Sequence, residues 1–171
     1  MPEKPVLDSL RVLAHPLRVR ILSLLTGAAM SAAEAARELG ETQANVSYHL
    51  RRLHEAGLLD VAEEVRIRGG QAKRYRHDPD SGPRFTRDEP EEERLLLAAL
   101  AGELRRRSEL RAADGRTSLT DAELWVDRST WEQAVEHARE LGRLLHHGAR
   151  PPRSEGTVRV SATVALFVLD S

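Results

Sequence analysis

The sequence predicts an α+β protein with two unlike halves, and three features of the chain indicate it. Leucine and isoleucine recur at spacings of three and four over residues 8–26, which is the period of an amphipathic helix. Residues 65–76 instead alternate apolar and basic side chains around Gly69 and Gly70, which predicts a β-hairpin. Residues 78–90 hold three prolines and a glycine, so we expect a linker there.

The composition excludes several classes of protein. The chain has 171 residues, of which 40% are hydrophobic and 31% charged, which is typical of a folded chain. Its net charge is −1, so binding to a polyanion would require local clustering of basic residues. There is no cysteine, which excludes disulfides and thiolate metal sites. No apolar run approaches the roughly 18 residues of a membrane span, so we expect a cytoplasmic protein. The scarcity of lysine among the basic residues suggests a bacterial source.

Capping residues divide the first half into helices. Proline is tolerated best in a first helical turn, so a helix should begin at Pro16. Ser31 and Glu34 form a predicted capping box, and Gly40 is placed to end that helix. Thr42 is a natural N-cap for the next helix, which runs toward residue 57.

The helix that follows Thr42 has an unusual outer face. Val46, Leu50 and Leu53 form a buried stripe at helical spacing. The residues expected on the opposite side and in the first turn are Thr42, Gln43, Ala44, Asn45, Ser47, Tyr48, Arg51 and Arg52. This surface has no acid before Glu55. Amide and guanidinium groups beside small residues suit the edges of base pairs in a major groove, so we predict contact with double-stranded DNA. With the preceding helix it forms a predicted helix-turn-helix.

The hairpin is the sharpest basic cluster in the chain. Residues 66–77 carry five full positive charges and no negative one. We predict a wing that contacts the phosphate backbone. The predicted contacts are Arg66, Arg68, Lys73 and Arg74. The alternative is a solvated hairpin whose arginines protect exposed strand edges.

Three segments together resemble the ArsR-type winged helix-turn-helix family of bacterial transcription regulators. They are "LAHPLRVRILSLL", "SAAEAARELGETQANVSYHLRRLHEAGLL" and "RGGQAKRYR", and the similarity covers about residues 7–78. The resemblance implies a homodimeric DNA-binding regulator, usually a repressor released by an effector. The residues that match the family's DNA-reading helix are Gln43, Ala44, Ser47, Tyr48 and Arg51. Many members sense metals through cysteines, which this chain lacks, so the metal-sensing role does not transfer.

The second half is predicted to be helix–strand–helix–strand. A helix over residues 89–113 is followed by a strand over 118–127. Ser129 and Glu132 form a second predicted capping box, which opens another helix. Residues 157–170 are predicted to form the last strand. The expected domains are therefore a winged helix-turn-helix over 1–80, a linker over 81–87, and a C-terminal α/β domain over 88–171.

Apolar surface in the second half predicts that it forms the dimer interface. The leucine-rich face of the helix over 89–113 needs a partner, either the β-containing segment or another subunit. Residues 163–169 are apolar on both faces and must be covered on both. We therefore expect the second half to hold a homodimer together and to receive the signal of any small-molecule effector.

The aromatic and histidine residues of this half can be explained by packing and local pairing, without a ligand. Trp125, Trp131 and Phe167 either line an effector pocket or fill a small core, and we favour the core. Two local pairings are open, His137 with Glu140 or His147 with Arg143. No zinc site is predicted, because zinc needs three or four converging ligands. In the first half, His49 and His54 are expected to serve packing or capping.

Two functional classes remain open on sequence alone. The first is a DNA-binding regulator, and the second is a protein-interaction module on the same scaffold without DNA recognition. The acid-free helix face together with the basic hairpin favours the regulator, because an interaction module needs neither. No nucleophile elbow, glycine-rich phosphate loop or HExxH pattern occurs, so we expect no enzyme and no cofactor.

Overall fold

The computed structural model describes residues 11–67, 69–79 and 90–170. Its elements are α1 (Pro16–Gly27), α2 (Ala32–Leu39), α3 (Gln43–Glu55), β1 (Asp60–Ile67), β2 (Gly70–Arg76), α4 (Pro90–Ser108) and α5 (Arg128–Gly148). Helices, a two-stranded antiparallel sheet and further helices follow one another, which confirms the α+β class. The predicted linker over 81–87 lies outside the described residues, and the domain boundaries stay a prediction.

The predicted caps fix the ends of the first three helices. The N–H of Ser31 donates to Glu34 Oε2 at 2.7 Å, and the N–H of Glu34 donates to Ser31 Oγ at 3.3 Å, so the capping box is confirmed. Gly40 ends α2 with φ of +68°, a conformation that glycine adopts without a Cβ penalty. Thr42 Oγ1 accepts the N–H of Asn45 at 3.3 Å and begins α3.

One hydrophobic core unites α1, α2, α3 and the base of the hairpin. Its largest fully buried side chains are Ile21, Leu25, Val46, Leu50, Leu53 and Leu59. The hairpin is attached to this core by Tyr75, which exchanges two backbone hydrogen bonds with Met30, at 2.9 and 3.0 Å. Backbone pairing and the buried Tyr75 ring therefore hold the hairpin against the helices.

The hairpin confirms the predicted turn. β1 and β2 pair antiparallel, with Glu63 opposite Arg74 and Glu64 opposite Lys73. Gly69 has φ of +94°, which an L side chain rarely adopts. From Ile67 back to Glu63 the register follows from this turn, because residues equally far from it along the two strands face each other, and it shifts by one residue between Glu63 and Val61.

Helix α4 packs on the first half of the chain. Leu96, Ala99 and Glu103 are buried, and the helix lies against α1. The sequence offered the β-containing segment or another subunit as the partner of this helix, and for the buried face the partner is α1 instead. The helix ends at Ser108, short of the predicted residue 113, where the Ser108 hydroxyl donates to the carbonyl of Arg105 at 2.7 Å.

The two strands predicted in the second half are not formed within this chain. Residues 118–127 and 157–170 belong to no helix or strand. A period-two pattern signals a chain that suits a sheet, but the strand itself needs a hydrogen-bonded neighbour. Among the described residues neither segment has one. The fold class is unaffected, because β1 and β2 supply its sheet.

The N-cap of helix α5 lies two residues earlier than predicted. Asp127 is the N-cap, and its Oδ1 accepts the N–H of Thr130 at 2.9 Å. The hydrogen bond from the Thr130 N–H, followed by those from the hydroxyls of Ser129 and Thr130, lowers the pKa of Asp127 to about 2. Ser129 lies inside the first turn and donates its hydroxyl to Asp127 Oδ1 at 2.7 Å. The predicted Ser129 capping box is wrong, because a carboxylate two residues earlier takes the free N–H groups.

The second half has no core of its own in the described structure. No described residue beyond Glu103 is buried. Trp125 is 94% exposed and Phe167 is 52% exposed, so these rings neither fill a core nor enclose a pocket. None of the described helices is long and apolar enough to cross a membrane.

Candidate nucleic-acid interface

Helix α3 is seated on the core and turns a polar face outward. Val46, Leu50 and Leu53 are buried, as the helical spacing predicts. Of the predicted contact residues, Ser47 is half-buried and the others are exposed: Thr42, Gln43, Ala44, Asn45, Tyr48, Arg51 and Arg52. The predicted orientation of the helix is therefore confirmed, while the DNA-binding role of these side chains stays a prediction.

The polar side chains of this outer face differ in whether they already bind a neighbouring residue. Asn45 Nδ2 donates to Glu41 Oε2 at 3.2 Å, and Arg52 Nη1 lies 3.4 Å from Glu55 Oε2. Arg51 forms no ion pair with any residue in the described part of the chain, so its guanidinium is available to a ligand. Exposed pairs such as Arg52–Glu55 contribute only about 0–1 kcal/mol and open readily.

A histidine pair lies beneath α3 and connects it to α1. His49 is 5% exposed, and its Nδ1 accepts from Arg18 Nε at 3.1 Å. The His15 ring lies 4.6 Å from the His49 ring, and its Nδ1 accepts the N–H of Leu17 at the start of α1. Burial lowers the pKa of His49, and the neighbouring His15 and Arg18 lower it further. The packing role expected for His49 is confirmed.

Arg74 is oriented toward the protein and not toward the outside of the hairpin. Its Nε lies 3.1 Å from Glu34 Oε2, its Nη1 lies 2.5 Å from Glu63 Oε1, and its Nη2 donates to the carbonyl of Ala29 at 2.8 Å. The hydrogen bond with Glu63, before the attraction of Glu34, raises the pKa of Arg74. The sequence placed Arg74 among the phosphate contacts. In the structure all three guanidinium nitrogens have protein acceptors, so Arg74 ties the hairpin to α2.

The free positive charge of the hairpin is smaller than the sequence suggests. Lys73 Nζ lies 3.9 Å from Glu64 Oε1. Arg66 and Arg76 are exposed and form no ion pair with the described residues, and Arg68 lies outside them. The charge count over 66–77 missed the two acids because they precede this window. Counting back from the glycine turn places Glu63 and Glu64 opposite Arg74 and Lys73.

Two further histidines are explained by local contacts. His54 Nδ1 lies 2.7 Å from the carbonyl of Leu59, next to the Tyr75 ring, which confirms a capping and packing role. His137 Nδ1 lies 3.2 Å from Glu140 Oε2, which is one of the two local pairings that the sequence left open. Within the described ranges no three metal-ligating side chains converge.

The arrangement defines a class of protein. A short helix, a tight glycine turn and a helix seated on a core form a helix-turn-helix, and the hairpin that follows supplies the wing. The exposed face of α3 and the free arginines of the hairpin carry the groups that contact bases and phosphates in such proteins.

A match to one protein-family model supports this class. Residues 13–62 match the family model described as a helix-turn-helix domain, which spans under a third of the chain. A solved structure described as "Possible transcriptional regulator for arsenical resistance" is 28% identical. The match covers 61% of this chain and 97% of that chain, with a TM-score of 0.37. Among curated proteins none matches. The chain thus carries a helix-turn-helix domain, the domain type of DNA-binding transcription regulators.

Proposed function

We propose that this chain is a sequence-specific, double-stranded-DNA-binding transcription regulator that acts as a homodimeric repressor of the ArsR type, without cysteine-based metal sensing. Two copies are required because two-fold operators are bound by two recognition helices about 34 Å apart. An effector that binds residues 88–171 would act by favouring one spacing of those helices over another.

The outer face of α3 is the single observation that carries the proposal. Val46, Leu50 and Leu53 are buried and hold the helix against the core, so its outer side chains project from a fixed backbone. Arg51 lies on that face without an ion-pair partner in the described structure. Arginine binds the O6 and N7 of guanine with two parallel hydrogen bonds, which gives base preference as well as affinity.

A protein-interaction module is the second candidate. It is favoured by the exposed apolar side chains of the second half, which suit a protein partner. It gives no reason for unpaired arginines on both α3 and the hairpin. The two candidates differ in one measurable property, which is preference among duplex DNA sequences.

Selection of bound sequences from random duplex DNA, repeated at several salt concentrations, tests the proposal. We expect a two-fold symmetric site whose half-sites lie about one helical turn apart. Affinity should fall steeply as salt rises, because phosphate contacts release counterions. Recovery of no preferred sequence at any salt concentration would favour the interaction module.

Replacing Arg51 tests the assignment of the recognition helix. Arg51→Ala should weaken binding to the preferred site by about 1–3 kcal/mol and relax base preference at one position in each half-site. The matched control is Arg128→Ala, which removes the same charge from the exposed start of α5. Equal losses on preferred and random DNA would show that Arg51 contacts phosphate only, and no loss would exclude α3 as the recognition helix.

A further inference from the structure

Two segments of the second half belong to no helix or strand and are exposed to solvent. In the described part of the chain, no backbone hydrogen bond involves residues 118–126 or 158–169. Extended chain of this length presents a row of free N–H and C=O groups, which is a template for pairing with another strand. Helix α5 connects the two segments along the chain, and none of its residues is buried.

The later segment has the side-chain pattern of a strand that lies on a core. Alternate positions from Val158 to Val168 are apolar without exception. They are Val158, Val160, Ala162, Val164, Leu166 and Val168. Val158 is 82% exposed and Val168 is 71% exposed. β-branched residues at period two favour a sheet, and this face stays in water in the single chain.

The exposed apolar area matches what a stable dimer interface needs. Eleven large apolar side chains of the two segments are between 46% and 94% exposed. Burial of one such side chain removes roughly 60–120 Å² of apolar surface from water. At about two-thirds exposure, eleven of them supply roughly 400–900 Å², and a standard interface buries about 800 Å² per partner. The largest apolar patch of a typical monomer is about 300–600 Å².

A second copy of the chain fits this surface by symmetry and by charge. Antiparallel pairing of a strand with itself about a two-fold axis satisfies both backbones equally. Arg159 is the only charged residue between 158 and 169. Pairing centred near Val164 would separate the two copies of Arg159 by roughly 34 Å at about 3.4 Å per residue, so no like charges face each other.

We propose that residues 158–169 pair antiparallel with the same residues of a second copy, forming a sheet that crosses the dimer interface. Residues 118–126 flank this sheet, and α5 covers one of its faces. The inference rests on the homodimer in the proposed function and names its interface. It explains why the second half has capped helices and strand-like sequence but no core in a single chain.

Amide hydrogen exchange of the full chain, combined with analytical ultracentrifugation over a dilution series, tests the pairing. We expect a dimer in which the amides of residues 158–169 are protected, and loss of that protection as dilution dissociates the dimer. A dimer with these amides unprotected would place the interface elsewhere. Protection that persists in the monomer would show an intrachain partner, and a chain that stays monomeric throughout would overturn the inference.

Two neighbouring substitutions separate the apolar face of the strand from its other face. Val160→Arg places a charge on the apolar face, whereas Ser161→Arg places the same charge on the opposite face, where Arg159 and Thr163 also lie. Val160→Arg should raise the dimer dissociation constant about tenfold or more, and Ser161→Arg should change it little. Equal effects of the two variants would contradict the predicted face.

The outcome is independent of DNA binding. Both segments lie outside the core cluster of the helix-turn-helix, so the variants should leave its folding intact. A protected dimer that prefers no DNA sequence would refute the proposed function and leave the interface standing. A monomer that still selects a single half-site would overturn the interface and leave DNA recognition standing.

Discussion

Arg74 separates two explanations of the hairpin, and its replacement by alanine distinguishes them. As a phosphate contact, it would matter for DNA affinity and little for folding. In the structure it bonds to Glu34, Glu63 and the carbonyl of Ala29, so it should matter chiefly for folding. The Arg74 side chain is 31% exposed, and its two acidic partners are 38% and 50% exposed, so solvent screens both ion pairs.

The magnitude follows from the three contacts. Each partly exposed ion pair contributes about 0.5 kcal/mol. Loss of the charged donor to the Ala29 carbonyl adds about 1 kcal/mol, since that acceptor is then satisfied only by water. Arg74→Ala should therefore lower the free energy of unfolding by about 2 kcal/mol, within the range of ordinary destabilising substitutions.

The assay is urea denaturation of the full chain, followed by DNA binding at several salt concentrations. Lys73→Ala is the matched control, because it removes a charge from the adjacent residue. Among the described residues Lys73 has one ion pair, which spans 3.9 Å with both partners about half-exposed. It should change the free energy of unfolding by less than about 0.5 kcal/mol. If Arg74→Ala destabilises no more than Lys73→Ala and lowers the log–log salt slope by about 0.9, Arg74 is a phosphate contact and the structural argument fails.

Two further predictions concern the free charge of the hairpin and the histidines beneath α3. Arg66→Ala should weaken binding to preferred and random DNA alike and lower the salt slope by about 0.9, and an unchanged slope in the salt titration would leave the hairpin a solvated edge. Burial lowers the pKa of His49 below its ordinary value of 6.5. Its neutral form is then favoured in the folded state. The stability that His49 contributes is therefore fully present above about pH 6.5 and is lost as the pH falls through the folded-state pKa. His49→Gln keeps an acceptor for Arg18 but cannot take up a proton. Urea midpoints at about pH 7.5 and about pH 5.5 should therefore differ less for this variant than for the wild type. A difference should remain, because His15 and His77 retain lowered pKa values of their own. The same pH dependence in both proteins would exclude His49 as a contributor.

Local chemistry determined most of the first half from the sequence alone. The capping box of Ser31, the N-cap of Thr42 and the glycine turn of the hairpin depend on residues a few positions apart, and each was predicted where it occurs. The buried stripe of Val46, Leu50 and Leu53 follows from helical geometry in the same way. The candidate DNA-binding face is then the side of α3 that remains.

Only the tertiary structure decided which distant groups meet. Glu34 and Arg74 are 40 residues apart, and no local pattern predicts that their contact withdraws Arg74 from the outer surface. Burial of the α4 face against α1 is likewise a long-range choice among several apolar surfaces. The strands of the second half show the limit most clearly. Alternation in the sequence predicts a preference for extended chain, but a strand is stabilised by its neighbour. Within the described chain residues 158–169 have no such neighbour, because hydrogen bonds between strands depend on tertiary or quaternary contacts and not on local sequence.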